Sequence, residues 1–142
     1  MFKRKNILKI AIDSPAAAGA GTLARTISKE YNLIYIDTGK IYRLIALYKL
    51  NNPKKFNIQF LKNKIKKLKI IDLDNKKLLS NKIGMEASEV AKQKNIRKLI
   101  YSFQRNFAYN PPKKYNGSCL DGRDITYKIV PNANFKFFIT AN

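Results

Sequence analysis

The order of apolar runs and turn signals in the first 50 residues constrains the fold more than any other feature of this sequence. Residues 7–12 form a short run rich in β-branched side chains that ends at an Asp-Ser-Pro turn, which is typical of a mostly buried strand. A loop of small residues follows, and from Thr22 onward apolar residues recur at helical spacing. The same order returns over residues 33–50. Strands that alternate with helices in this way predict an α/β fold with a parallel sheet covered by helices.

The rest of the chain is interpreted as an insertion followed by a return to the same sheet. The middle segment predicts Lys-coated helices and two short strands, near residues 70–71 and 78–79. A linker rich in Pro, Lys and Asn follows, and strand signals resume near the end of the chain. We therefore expect a core made of residues 1–50 and 113–142, with residues 51–112 as an insertion that carries its own small sheet.

The composition excludes several kinds of active site. The 142 residues include no His and a single Cys, Cys119, so a zinc site, a disulfide framework and Ser-His-Asp or Cys-His catalysis are excluded. No apolar run approaches the roughly 18 residues that a membrane-spanning helix needs. The run near the N-terminus is also too short for a secretory signal, because Lys9 and Asp13 interrupt it. We expect a cytoplasmic protein that uses Asp, Glu, Lys, Arg, Ser, Thr and backbone groups.

The net charge of +20, from 29 Lys and Arg against 9 Asp and Glu, indicates an anionic partner. Most of the positive charges are Lys, which favours a solvated surface over one built for bidentate phosphate binding by Arg. Few aromatic residues are interleaved with the basic run at residues 62–69. A basic nucleic-acid-binding protein, whose affinity would fall steeply with salt, is therefore the least favoured hypothesis, and we expect a monomer with no membrane partner.

Three of the predicted strands end in an acidic residue: Asp13, Asp37 and Asp121, with Asp124 just beyond. The carboxyl ends of parallel strands meet at one edge of an open sheet, where ligand-binding loops gather. Asp also favours turns for reasons of its own. Because four of the nine acidic residues have this placement, we favour a functional site at that edge.

Residues 13–22, Asp-Ser-Pro-Ala-Ala-Ala-Gly-Ala-Gly-Thr, have the outline of a triphosphate-binding P-loop. Small residues let consecutive N–H groups turn around a polyphosphate, the helix behind adds its positive end, and a Thr hydroxyl reaches Mg²⁺. An alanine-rich turn before a helix is also common without a ligand. The predicted ATP-binding residues are Ser14, Pro15, Ala16, Ala17, Ala18, Gly19, Ala20, Gly21 and Thr22, with Thr22 as the metal ligand. The rule G-x-x-x-x-G-K-[ST] is violated twice, by Ser14 and by Ala20.

Further motifs follow the loop in a fixed order along the chain. They are Asp-Thr-Gly-Lys-Ile-Tyr-Arg at 37–43, Ala87-Ser88, Arg97, Gln104-Arg105 and Leu-Asp-Gly-Arg-Asp-Ile at 120–125. Together with Ile-Asp-x-Pro-Ala-Ala-x-Gly-x-Gly-Thr at 12–22, they resemble bacterial cytidylate kinase over essentially the whole chain. The resemblance implies a three-layer P-loop nucleoside monophosphate kinase fold that transfers the γ-phosphoryl group of ATP, with Mg²⁺, to CMP or dCMP. It also implies an N-terminal fragment, incomplete at the C-terminus, because family members continue through an Arg-bearing lid.

The resemblance implies roles for individual residues, with the middle insertion as the monophosphate-binding part. The residues that match the family's CMP-binding positions are Thr38, Arg43, Ser88, Arg97, Arg123 and Asp124. The planar fork of Arg suits phosphate, so Arg43 and Arg123 are the predicted catalytic residues, which clamp the acceptor phosphate. Ser88 and Arg97 are expected to bind the polar edge of cytosine, and Asp124 the ribose hydroxyls. A surface ion pair is the alternative for each Arg.

Ala20 stands where the family carries a Lys whose charge follows the transferring phosphoryl group. Loss of one such donor typically lowers the rate by about 10² to 10³. Lys40, after the second predicted strand, is a candidate for the substitute cation. A nucleotide-binding module with impaired catalysis therefore stays open beside the active kinase, as does UMP beside CMP.

Overall fold

The computed structural model describes residues 4–15 and 20–140, and within them helices alternate with a parallel sheet. The strands of these described ranges are β1 Leu8–Asp13, β2 Leu33–Asp37, β3 Gly117–Gly122 and β4 Phe135–Phe138. Their α-helices are α1 Ala20–Tyr31, α2 Thr38–Asn51, α3 Ile58–Lys66, α4 Asn81–Ala91 and α5 Lys94–Tyr109. None of these helices is both long enough and apolar enough to cross a bilayer.

The sheet has the strand order β2-β3-β1-β4, and all its neighbours run parallel. Strand β1 lies inside the sheet, paired with β3 along its whole length from Leu8 and with β4 from Ile10. Five consecutive residues of β3 are buried, as expected for a parallel strand covered on both faces. The predicted α/β fold with a parallel sheet is confirmed.

The chain divides into two compact units. The first unit is formed by the chain up to Thr38 and from Gln104 onward, and it contains the sheet and α1. The second unit is Gly39–Phe103 and contains α3, α4 and most of α2. The unit boundaries thus fall earlier in the chain than the predicted domain limits, with α2 almost wholly outside the sheet unit. The assignment of residues 51–112 as a monophosphate-binding insertion stays a prediction.

The core of the first unit joins α1 to the inner strands. Its buried cluster comprises Ile10, Ile12, Ala20, Ala24, Leu33 and Cys119. Ala20 and Ala24 lie one helical turn apart, and their small side chains let α1 pack closely on the sheet. Burial raises the pKa of the Cys119 thiol to about 11, so this residue is an uncharged packing group at neutral pH.

The two strands predicted for the middle of the chain are wrong, because the backbone there forms two 3₁₀ turns, Ile70–Asp74 and Lys76–Leu79. A carboxylate oxygen of Asp72 accepts a backbone N–H three residues earlier at 2.9 Å. The side chain of Asn75 accepts the N–H of Lys77, also at 2.9 Å. Such local side-chain bonds compete with extended structure, so the described residues of this unit contain helices and turns but no sheet.

Candidate active site

Three Asp residues lie at the carboxyl edge of the sheet, as predicted. The strand register pairs Asp37 with Asp121 and places Asp13 beside Gly122. Within the described residues these carboxylates do not gather into a cluster of three or more that could hold a metal ion by themselves. A cation bound at this edge would therefore take further ligands from water or from a phosphate.

Asp13 holds the segment that follows β3. One carboxylate oxygen accepts the N–H of Ile125 at 2.7 Å. The other accepts both the hydroxyl of Thr126 at 2.5 Å and its N–H at 3.3 Å. These bonds fix the start of a single π-helical turn, Ile125–Ile129. Asp13 thus anchors the two residues that directly follow Arg123 and Asp124, a structural role that sequence reasoning missed.

The turn at the end of β3 depends on Gly122. Its φ of 148° lies in a region that L side chains rarely adopt, and a Cβ atom here would lie 2.0 Å from the Thr38 hydroxyl oxygen. That hydroxyl donates to the backbone carbonyl of Asp121 at 2.8 Å, and both residues are buried. The predicted CMP ligand Thr38 therefore braces this corner, and a nucleotide that accepted its proton would have to compete with the carbonyl.

Tyr35 orients the carboxylate of Asp121, another role that sequence reasoning missed. Its hydroxyl donates to Asp121 Oδ2 at 2.9 Å. Burial, followed by the negative charges of Asp121 and Asp37, raises the pKa of Tyr35 far above its ordinary value. The phenol therefore remains a protonated donor, and Asp121 keeps one orientation at the sheet edge.

Arg123 and Asp124 differ in how the structure holds them. Asp124 has left-handed backbone, with a φ of 63°, and its carboxylate accepts the hydroxyl of Tyr127 and lies 3.9 Å from the Lys128 ammonium. The bond to Asp124 raises the pKa of Tyr127. Arg123 is exposed. A ribose bound at Asp124 would share the carboxylate with its local donors.

The two ends of the predicted phosphate loop are described, and its middle is not. The N–H of Ser14 donates to the carbonyl of Gly122 at 3.0 Å, which ties the start of the loop to the corner after β3. Pro15 is exposed. At the other end Ala20, Gly21 and Thr22 form the first turn of α1, where Ala20 is buried and Thr22 exposed. Ala16, Ala17, Ala18 and Gly19 lie outside the described residues.

In the second unit, Arg43 and Ser88 both lie against Gly84. Arg43 Nη1 donates to the carbonyl of Leu78 at 2.7 Å. Its Nη2 lies only 3.0 Å from the position a Cβ on Gly84 would take, and Ser88 Oγ donates to the Gly84 carbonyl at 3.2 Å. Because Gly84 has no side chain, the Arg43 guanidinium can pack directly against α4. Sequence reasoning missed the importance of this glycine.

Arg97, also in the second unit, caps the end of α4. Its Nη1 donates to the carbonyl of Ala91 at 2.9 Å and to that of Lys92 at 3.3 Å. Lys40, the predicted substitute cation, lies in the first turn of α2 in the same unit. The binding roles predicted for the residues of both units stay predictions.

A parallel sheet whose inner strand leads through a small-residue segment into a helix, with Asp side chains at its carboxyl edge, is the arrangement found in P-loop α/β proteins. A family model described as cytidylate kinase matches residues 10–142. A curated cytidylate kinase of Bartonella tribocorum is 43% identical over 136 residues, which cover 94% of this chain and 60% of the relative. The Mesorhizobium japonicum enzyme of the same name is 36% identical, with 96% and 62% covered. That of Clostridium botulinum is also 36% identical, with 95% and 65% covered.

The chain therefore belongs to the cytidylate kinase family, which confirms the resemblance found in its motifs. It spans about three fifths of the length of these curated relatives.

Proposed function

We propose that the protein is a nucleoside monophosphate kinase that transfers the γ-phosphoryl group of ATP to CMP or dCMP and yields CDP or dCDP. Family membership supports the reaction class. The observation that carries the proposal is the bond between the Ser14 N–H and the Gly122 carbonyl. This bond holds the start of the predicted phosphate loop beside the segment that carries Arg123 and Asp124, which supports a donor site and an acceptor site at the same sheet edge.

In this reaction the bond between the γ-phosphorus and the β,γ-bridging oxygen breaks, and a bond to a phosphate oxygen of CMP forms. The electron pair of the broken bond stays on ADP. Catalysis of such a step is mostly positioning and stabilisation of negative charge. The N-terminal turn of α1 supplies N–H groups and a positive dipole end for the triphosphate.

The oxygen groups at this edge fit Mg²⁺, which prefers oxygen ligands and keeps several waters when it binds with nucleotide phosphates. The exposed hydroxyl of Thr22 and the buried carboxylate of Asp121 are the proposed holders. When bound, Mg²⁺ neutralises charge on the β and γ oxygens. Tyr35 keeps the Asp121 carboxylate oriented for this purpose through the 2.9 Å bond.

For the acceptor nucleotide we propose Arg43 and Arg123 as phosphate ligands, Ser88 and Arg97 as cytosine ligands, and Asp124 as a ribose ligand. A guanidinium has five N–H donors. Arg43 Nη1 is bound to the Leu78 carbonyl, which fixes the plane of the group while its other donors can bind phosphate.

The test is an assay of the full-length protein with ATP, Mg²⁺ and CMP, dCMP or UMP, with thermal unfolding of the same samples. We expect ATP- and Mg²⁺-dependent formation of CDP, and thermal stabilisation by CMP. Stabilisation by another monophosphate but not by millimolar CMP would overturn the substrate assignment. We further propose that the protein acts in the cytoplasm and as a monomer.

Ala20 supports a second candidate, a module that binds nucleotides but transfers phosphoryl groups poorly. The first residue of α1 carries no charge and its side chain is packed in the core. Restoring the family residue with Ala20→Lys separates the candidates. A large gain in activity would favour the impaired module. Because Ala20 packs in the core, no gain would favour a loop whose missing charge is supplied elsewhere only in a variant whose thermal unfolding matches that of the parent.

A further inference from the structure

The first unit has a cation beside the loop that lacks its lysine. Ala20 and Gly21 open α1, and Arg25 lies one helical turn after Gly21. Helical side chains lean toward the N-terminus of their helix. Arg25 follows this rule, since its Nη1 lies 3.3 Å, and its Cζ 3.8 Å, from the point that a Cβ on Gly21 would occupy. The guanidinium therefore lies on the first turn of α1, in space that any larger residue at position 21 would fill.

A second contact shows which side of that turn the guanidinium occupies. The hydroxyl of Tyr35 lies 3.6 Å from the same point above Gly21, and it donates to Asp121. The charge of Arg25 partly offsets the rise in the pKa of Tyr35 that burial and the carboxylates cause. Arg25 is thus directed to the sheet edge where Asp121 lies.

The charge of this guanidinium is available to a ligand. Arg25 is exposed, and across residues 4–15 and 20–140 the ion pairs of the structure involve only other cations, Lys49, Lys92 and Lys128. A guanidinium carries its charge at any physiological pH and binds phosphate oxygens through two parallel N–H bonds.

We propose that Arg25 is a triphosphate-binding residue, which supplies from α1 the positive charge that Ala20 lacks. The ligand class is the oxygens of a nucleoside triphosphate. The inference rests on the proposed function, because it places ATP at this loop. It assigns the compensating charge to Arg25 instead of Lys40, which lies in the second unit.

The test uses the full-length enzyme and the variants Arg25→Gln and Arg25→Lys. Arg25→Gln keeps a polar, hydrogen-bonding side chain, although a shorter one, and removes its charge. We expect it to lower kcat/KM for ATP by about 10² to 10³, the usual effect of removing one donor to a transferring oxyanion, with KM for CMP unchanged. Arg25→Lys should retain part of the activity. Lys29→Gln, which removes a charge from the last turn of the same helix, is the matched control and should have no effect.

A double-mutant cycle with Ala20→Lys sharpens the test. Ala20→Lys alone should bring little gain, because the charge is already present. In that background Arg25→Gln should have a much smaller effect than in the parent, since two groups that serve one phosphate are not additive. Equal effects of Arg25→Gln in both backgrounds, or unchanged kcat/KM for ATP in the parent, would overturn the proposal.

Calorimetric titration with ATP distinguishes this failure from failure of the proposed function. If the parent does not phosphorylate CMP but binds ATP with an affinity that Arg25→Gln lowers at least tenfold, the kinase assignment fails and the role of Arg25 stands. If ATP does not bind to the parent, or binds equally to Arg25→Gln, the role of Arg25 is refuted. Circular dichroism melts of each variant confirm that the compared proteins are folded.

Discussion

The candidate site residues of the two units are held in opposite ways. At the sheet edge of the first unit, carboxylates accept: Asp13 takes three donors from Ile125 and Thr126, and Asp121 takes the hydroxyl of Tyr35. In the second unit, guanidinium groups donate: Arg43 and Arg97 bind backbone carbonyls near the ends of short helical segments.

This difference predicts where mutations act. Removing an acceptor from the first unit leaves partly buried N–H groups unpaired, and an unpaired buried donor lowers stability by about 1 to 3 kcal/mol. Removing an arginine from the second unit unpairs partly buried carbonyls instead, and an under-satisfied carbonyl, with its two lone pairs, is better tolerated than an unpaired N–H group. We therefore expect the first group of residues to govern folding and the second to govern ligand affinity.

The largest effect is expected for Gly122→Ala. The substitution brings a Cβ to 2.0 Å from the Thr38 hydroxyl in a backbone region unfavourable for alanine. We expect the free energy of unfolding to fall by about 3 kcal/mol or more, measured by urea denaturation. Thr38→Ala is the control for loss of the hydroxyl alone and should be milder. A change under about 1 kcal/mol would show that the corner is adaptable.

Asp13→Ala is the next test, and Arg97→Ala is its counterpart in the second unit. Loss of the Asp13 carboxylate should lower the free energy of unfolding by about 2 to 3 kcal/mol and raise KM for CMP, because the Arg123 segment loses its anchor. Arg97→Ala should lower stability by less than about 1 kcal/mol, the scale of a helix-end interaction.

Urea denaturation and steady-state kinetics measure both variants. Asp74→Asn, which changes an exposed acid, is the control. Equal loss of stability in the Asp13 and Arg97 variants would break the contrast between the units.

The order of strands and helices could be predicted because local residue patterns determine it. β-branched runs ended by Asp gave β1 and β2, and helical spacing gave α1 and α2, although α1 begins at Ala20, two residues earlier than expected. The 3₁₀ turns were missed because pairs such as Ile70-Ile71 are too short to distinguish a strand from a turn.

In the candidate site, only residues that belong to a sequence motif could be predicted. Asp13 could be placed at a strand end, but its partners lie 112 and 113 residues away, and no local pattern reports such a contact. The same holds for Gly84, whose partner Arg43 lies on another helix. Arg25 was not among the predicted residues, since its direction depends on the missing side chain at Gly21.

Alkaline pH probes the buried core of the first unit. The pKa of Cys119 is raised from 9.0 to about 11, so between these values the unfolded chain loses a proton that the folded chain keeps. The contribution of this thiol to the free energy of unfolding is therefore fully present below pH 9. It falls as pH rises toward 11, by about 1 kcal/mol per pH unit. When the free energy of unfolding is measured at several pH values in this range, it should fall more steeply with pH for the parent than for Cys119→Ala. Identical slopes would contradict the burial of the thiol.

The smallest change in stability is expected for Gly84→Ala, in the second unit. Alanine favours helix by up to about 1 kcal/mol over glycine, but its Cβ would lie 3.0 Å from Arg43 Nη2. We expect nearly unchanged unfolding and a rise of about tenfold in KM for CMP, the scale of one charged hydrogen bond. Met85→Ala, at an exposed neighbouring position, is the control. A fall in stability without a change in KM would reverse the contrast between the units.

The place of β1 in the sheet has a consequence for synthesis on the ribosome. Although β1 is made first, its sheet neighbours begin at Gly117 and Phe135. At the usual 5 to 20 residues translated per second, the nascent β1 waits roughly 5 to 20 s for its first neighbour. During that interval the apolar residues of β1 have no strand to pair with, so the sheet edge that carries Asp13 and Asp121 is completed only after β3 has been made.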